Sequence, residues 1–146
     1  MKRAKRLEPV DALMSETERE RARQLAAMQA RLLEAEQRCQ ELKHYLTEYH
    51  SAFHQRARAG IGVSGMRDYQ VFIARLGEAV QQQDGIVAQL RGDCERARAQ
   101  WREAAAKKNA VGKVIERARA EEGQMEARRQ QRESDERAQR AGHGRS

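Results

Sequence analysis

Proline is nearly absent from this chain of 146 residues: the single one is Pro9, so no imino acid interrupts helix downstream of it. Aromatic side chains are scarce, at 4%. Long apolar runs are missing altogether, and no stretch approaches the roughly 18 apolar residues that a membrane span requires. The basic start Met1-Lys2-Arg3-Ala4-Lys5-Arg6 has no apolar run behind it, so it does not read as a secretory signal. The two cysteines, Cys39 and Cys94, form no CxxC and read as buried seam positions, not as metal ligands or a disulfide. Large apolar side chains are also few. The apolar fraction is 39%, but 24 of those residues are Ala, and the remainder cannot fill a globular core of this length. These shortages exclude a β-sandwich, a Rossmann fold and a mixed α/β enzyme. They leave an elongated all-α protein built on a thin apolar seam.

Charge, by contrast, is plentiful. Charged residues make up 35%, with 29 basic against 22 acidic, for a net charge of +7 at pH 7. A basic balance suits nucleic acid, an acidic membrane surface or an acidic protein. A basic zipper would place a dense Lys/Arg run directly before a parallel leucine zipper. Here the arginines alternate with glutamates, so nucleic acid is not expected as a partner. The clustered ends, Lys2 to Arg6 and Arg128 to Arg145, are the better candidates for an acidic protein.

Two segments carry a repeat of alternating three- and four-residue steps. The first runs Leu25, Met28, Leu32, Ala35, Cys39, Leu42, Leu46, Tyr49, Phe53 without a polar residue, and weakens backwards through Arg21, Glu18, Met14, Asp11 and Leu7. The second starts at Tyr69 and runs through Ile73, Leu76, Val80, Gln83, Val87, Leu90, Cys94, Ala97 and Trp101 to Met125. Such a repeat predicts a left-handed coiled coil. Between them lies Gly60-Ile61-Gly62-Val63-Ser64-Gly65, where glycines end one helix and permit a reversal. Ser64 suits an N-cap, and Asp68 a first turn.

The two seams also agree on a register. In an antiparallel hairpin, paired positions have a constant index sum. Tyr49 with Ile73, Leu42 with Val80, Ala35 with Val87 and Leu32 with Leu90 all sum to 122, which puts the midpoint at residue 61, among the glycines. The fold class predicted is therefore a long antiparallel two-helix coiled-coil hairpin, all-α. It forms a single elongated domain: an N-terminal helix over 7–58, a turn over 59–65, a C-terminal helix over 66–140 that is unpaired from about 116, and a disordered tail over 141–146. In this register Cys39 and Cys94 lie roughly 16 Å apart along the seam, too far for an intrachain disulfide.

Reactive chemistry is not in evidence. His50 and His54 share a helical face with His44 nearby, but no acidic or thiol ligands complete a metal set, and a solvated face is the plainer reading. No catalytic arrangement and no cofactor-binding loop is present, and a two-helix hairpin offers no pocket in which to shift a pKa, so no enzyme, metal or cofactor is expected. The aromatics say more. Tyr45 and Phe72 fall one position off the seam, bordered by Leu42, Tyr49, Leu76 and Ala79. Two helices cannot cover both seam and flank, so this group either marks a partner site or shields the seam.

The helix end Leu42-Lys43-His44-Tyr45-Leu46-Thr47-Glu48-Tyr49, the glycine-rich turn, and the helix start Asp68-Tyr69-Gln70-Val71-Phe72-Ile73-Ala74-Arg75-Leu76-Gly77-Glu78-Ala79-Val80 together resemble the FliJ family of the flagellar export apparatus. Lys107-Lys108 and Ser134-Asp135-Glu136 fit the same pattern, over roughly residues 7 to 140. The resemblance implies a stalk-like coiled coil that engages the hexameric flagellar export ATPase, contacts the cytoplasmic domain of the membrane export gate and escorts export chaperones. It implies a cytoplasmic monomer, peripherally associated with the inner membrane through the export apparatus and not inserted in it. By position, it places gate binding on Leu42, Tyr45, Tyr49, Phe72, Leu76 and Ala79, and ATPase engagement on the paired termini. Arg38, where Gln is common in the family, and Gln83, where His is common, depart from the pattern. The stalk of a virulence-type secretion system and a generic coiled-coil adaptor are the alternatives.

Overall fold

The structure is a computed structural model and describes residues 2–144; the predicted disordered tail falls partly on Arg145 and Ser146, outside the described residues. Two helices account for the secondary structure of the described residues: α1, Arg3–Ala59, and α2, Val63–His143. They pack against each other in the antiparallel sense that the hairpin register requires.

The turn is shorter than the glycine pattern predicts. Gly60 takes the left-handed conformation, with φ at +89°, just past the last residue of α1. That is the position where helices commonly stop on a glycine, because a Cβ there would crowd the following carbonyl. The N–H of Gly60 donates to Ala57 O at 3.4 Å, closing the last turn. Met66 N–H donates to Gly62 O at 3.0 Å, so α2 is under way from Val63. Ser64 thus sits inside the first turn and does not precede it, and Asp68 lies beyond that turn, which carries no acidic residue. Gly65 serves clearance instead of conformation: a Cβ there would come within 2.7 Å of the Ile61 side chain, which folds over it.

Contacts group the described residues into two compact units, one of Arg21–Trp101 and one of residues 2–20 with 102–144. In the first, Ala35, Cys39 and Val87 form a buried cluster on which Leu32 and Leu90 pack. Ala35 with Val87 and Leu32 with Leu90 are pairs that the constant sum assigns. Near the turn, the Phe53 and Tyr69 rings meet at 6.0 Å in the same register. Seam positions predicted from the repeat are buried or half-buried throughout this unit, apart from Tyr49. No large side chain anywhere among the described residues is completely buried. The seam is as thin as the composition implies.

In the second unit the buried residues are mostly alanine: Ala4, Ala104 and Ala118, with Ile115. Here the structure corrects the predicted boundaries. α1 begins at Arg3, and Pro9 stands inside it. An interior proline costs about 3 kcal/mol relative to Ala, because it removes a helical donor. The extra turn is offset by burial of Ala4 and by Glu122 Oε1, which accepts the otherwise orphaned Ala4 N–H at 3.1 Å. Arg119 reaches Glu8 at 3.7 Å, and Lys108 reaches Glu18 at 4.0 Å. Pairing therefore continues to Glu122, past the overhang start expected at about 116. Met125, the last member of the predicted seam, is 67% exposed, and every described residue from Ala127 onward is exposed. Helix also persists to His143, beyond the predicted end at 140.

Candidate partner-binding face

Around the buried cluster, the coiled coil has two flanks of opposite character. On one, charges pair across the helices. Lys43 Nζ lies 3.3 Å from Asp84 Oδ1, and Arg91 Nε lies 3.8 Å from Glu36 Oε1. The Cys39 thiol, buried at the edge of this flank, donates to the same Asp84 oxygen at 3.1 Å. That donation, with Lys43 beside it, holds the Asp84 carboxyl below the usual carboxylate range. The carboxylate and burial in turn push the Cys39 thiol up, and Asp84 pushes the Lys43 ammonium up.

The other flank carries the aromatics. Tyr45, one position off the α1 seam, is 51% exposed, and Phe72, one position off the α2 seam, is 42% exposed. Tyr49 and Phe72 pack ring against ring, with centroids 4.5 Å apart and planes tilted by 50°. That spacing is favourable for tilted aromatic pairs. Leu42, Leu76 and Ala79 are half-buried. The six residues predicted from sequence thus lie within one compact unit, with Tyr49 and Phe72 in contact. Rings serving only to roof the seam would spend little of their surface on water. These leave 37% to 51% exposed.

Two features escaped the sequence reading. Ile86 is 49% exposed and follows Phe72 and Ala79 at seven-residue steps, so it continues the same flank. Its spacing was the available signal. Gln83, a polar residue on the seam, is buried and donates Nε2 to the Ala35 carbonyl at 3.0 Å. It satisfies its amide on the opposite backbone, one turn away from the Cys39 that faces it in register. Elsewhere, the polar seam position Arg21 donates to Gln100 Oε1 at 3.1 Å. His44 Nε2 lies 3.0 Å from Glu48 Oε1, and no group of three or more His, Cys, Asp or Glu converges among the described residues.

Fold and face together define an antiparallel helical hairpin of the coiled-coil type, with an exposed aromatic flank. The chain belongs to the FliJ family: the family described as Flagellar FliJ protein matches residues 2–146, essentially its whole length. It is accordingly a component of flagellar protein export, in a family that is structural and not enzymatic. No curated protein and no solved structure matches the chain. Among the described residues, no helix is long and apolar enough to cross a membrane.

Proposed function

We propose that the chain is the stalk-like element of the export apparatus: its paired termini engage the hexameric export ATPase, and the aromatic flank contacts the cytoplasmic domain of the export gate. On this reading the gate-binding residues are Leu42, Tyr45, Tyr49, Phe72, Leu76 and Ala79. The observation that carries it is the exposed Tyr45, Tyr49 and Phe72 group on a member of this family. Apolar rings half in water gain by desolvation when a partner covers them, and such aromatic clusters dominate binding energies. The termini suit the ATPase on two counts. Their seam of small alanines lets the helices lie close together, and their basic clusters speed association with an acidic lumen. The protein escorts export chaperones, works in the cytoplasm, attaches to the inner membrane only through its partners, and performs no catalysis itself.

Adding the protein to purified export ATPase tests the first half. Ring formation and faster hydrolysis are expected, and no change in either removes the stalk role. For the second half, Tyr45→Ala with Phe72→Ala should leave helicity intact while weakening binding to the gate domain by about a hundredfold, as removal of two aromatic anchors does. Loss of helicity instead would assign these rings to the seam.

A further inference from the structure

The apolar seam does not by itself choose one register. A coiled-coil repeat matches itself again after each heptad, so a slip of one heptad keeps the knobs in phase. Slipping α2 by one heptad along α1 raises the index sum of paired positions from 122 to 129. It would set Phe53 against Leu76, Tyr49 against Val80, Leu42 against Val87, Cys39 against Leu90 and Ala35 against Cys94. All of these are apolar, aromatic or thiol side chains. The turn would follow, because the midpoint moves from Ile61 to the junction of Ser64 and Gly65, still within the glycine cluster. Gly62 has open space for a Cβ and no positive φ, so the present turn does not require a glycine there. A slip the other way would put the midpoint at the junction of Ala57 and Arg58, short of any glycine.

What distinguishes the two registers is the charged flank. Glu36, Lys43, Asp84 and Arg91 each stand one position after a seam residue, and both ion pairs join positions whose indices sum to 127. After the slip that sum is 134, and Lys43 would meet Arg91 in place of Asp84. Glu36 would exchange Arg91 for Arg98, which has Glu95 at 3.1 Å already, so on this flank the penalty falls on Lys43. The slip would also take Asp84 from the Cys39 thiol that donates to it at 3.1 Å. Gln83 does not choose, because its amide would find the Leu42 carbonyl one heptad along from that of Ala35. An exposed ion pair adds little to stability. Attraction in one register against repulsion in the next is nevertheless how flanking charges specify pairing in coiled coils.

We propose that Lys43 and Glu36 on α1, read against Asp84 and Arg91 on α2, form a register lock that selects the present pairing over its one-heptad neighbour. These are positioning residues for the aromatic face. Tyr49 and Phe72 meet at 4.5 Å between centroids in this register, and the slip would offset them by eight residues, roughly 12 Å along the axis. That consequence rests on the gate-binding reading above, whereas the lock itself does not.

Cross-linking of the full-length protein to its natural Cys94 reads the register, in a Cys39→Ser background that keeps a hydroxyl donor for Asp84. Met28→Cys faces Cys94 in the present register, and Ala35→Cys faces it after the slip. With Asp84 and Arg91 in place, the disulfide should form at Met28→Cys and not at Ala35→Cys. Transposing the α2 charges, Asp84→Arg with Arg91→Glu, should move it to Ala35→Cys. Transposing the α1 charges as well, Glu36→Lys with Lys43→Glu, should bring it back. Affinity for the purified cytoplasmic domain of the export gate should fall about tenfold or more in the first transposition and return in the second. A disulfide that stays at Met28→Cys in the first transposition overturns the lock, whatever happens to binding. Loss of helicity by circular dichroism in place of a change of partner overturns it too, since the second register would then be no alternative. Should the disulfide move and return while gate binding never changes, the lock stands and the gate-binding reading falls.

Discussion

At the scale of single residues, Asp84 is the most informative. One of its oxygens accepts a hydrogen bond from the Cys39 thiol and lies against the Lys43 ammonium, which lowers its affinity for a proton in the folded state. A carboxyl depressed in this way stabilises the fold fully above its unfolded value, roughly 3.9. The contribution disappears as pH falls through the lower folded value, because protonation then favours the unfolded chain. Asp84→Asn should therefore be less stable than the natural protein at neutral pH, and the gap should close in acid. Urea midpoints between pH 2 and 7 read this directly, and a gap that stays constant with pH would remove Asp84 from the account. None of this trio was legible as such beforehand. Cys39 was recognisable as a seam residue from its place in the repeat, but its acceptor lies on the other helix, and a flank contact depends on side-chain reach that a one-dimensional pattern does not record.

At the scale of the elements, the glycines divide sharply. Gly60 is the only described residue with positive φ, and its replacement by Ala should cost about 1–2 kcal/mol. Gly85 lies mid-helix with open space where a Cβ would stand. Gly85→Ala should therefore stabilise by up to about 1 kcal/mol. Thermal melts of the two variants should move in opposite directions, and a shared direction would contradict the helix assignment at one of them. The helix limits were harder to read than the helices. The seam repeat weakens backwards to Leu7, so a start at residue 7 was the natural inference from pattern alone. What carries α1 back to Arg3 is tertiary: Ala4, too small to register in an apolar repeat, packs away, and Glu122 supplies an acceptor from the other helix. Register, in contrast, was legible, because two independent repeats and a glycine cluster share one midpoint.

At the scale of the whole molecule, family and fold were both within reach of the sequence, since a long uninterrupted heptad pattern leaves few alternatives and the residues around the turn are distinctive. The candidate face was legible only as far as its aromatics reached. Ile86, 49% exposed on the same flank, looks like ordinary surface in the one-dimensional pattern. The seam is filled by the chain's own two helices, so sedimentation equilibrium should return the mass of one chain, 16.7 kDa, at micromolar concentration. A stable dimer would mean that the flank, and not the seam, governs self-association. The absence of any completely enclosed large side chain among the described residues has a consequence of its own. A core with no centre has no keystone. Each heptad is held by its immediate neighbours, so seven residues could be spliced from both helices at matched positions and the zipper would close again in phase. Evolution can then retune the span of such a protein by whole repeats, without redesigning the surfaces that other proteins grip.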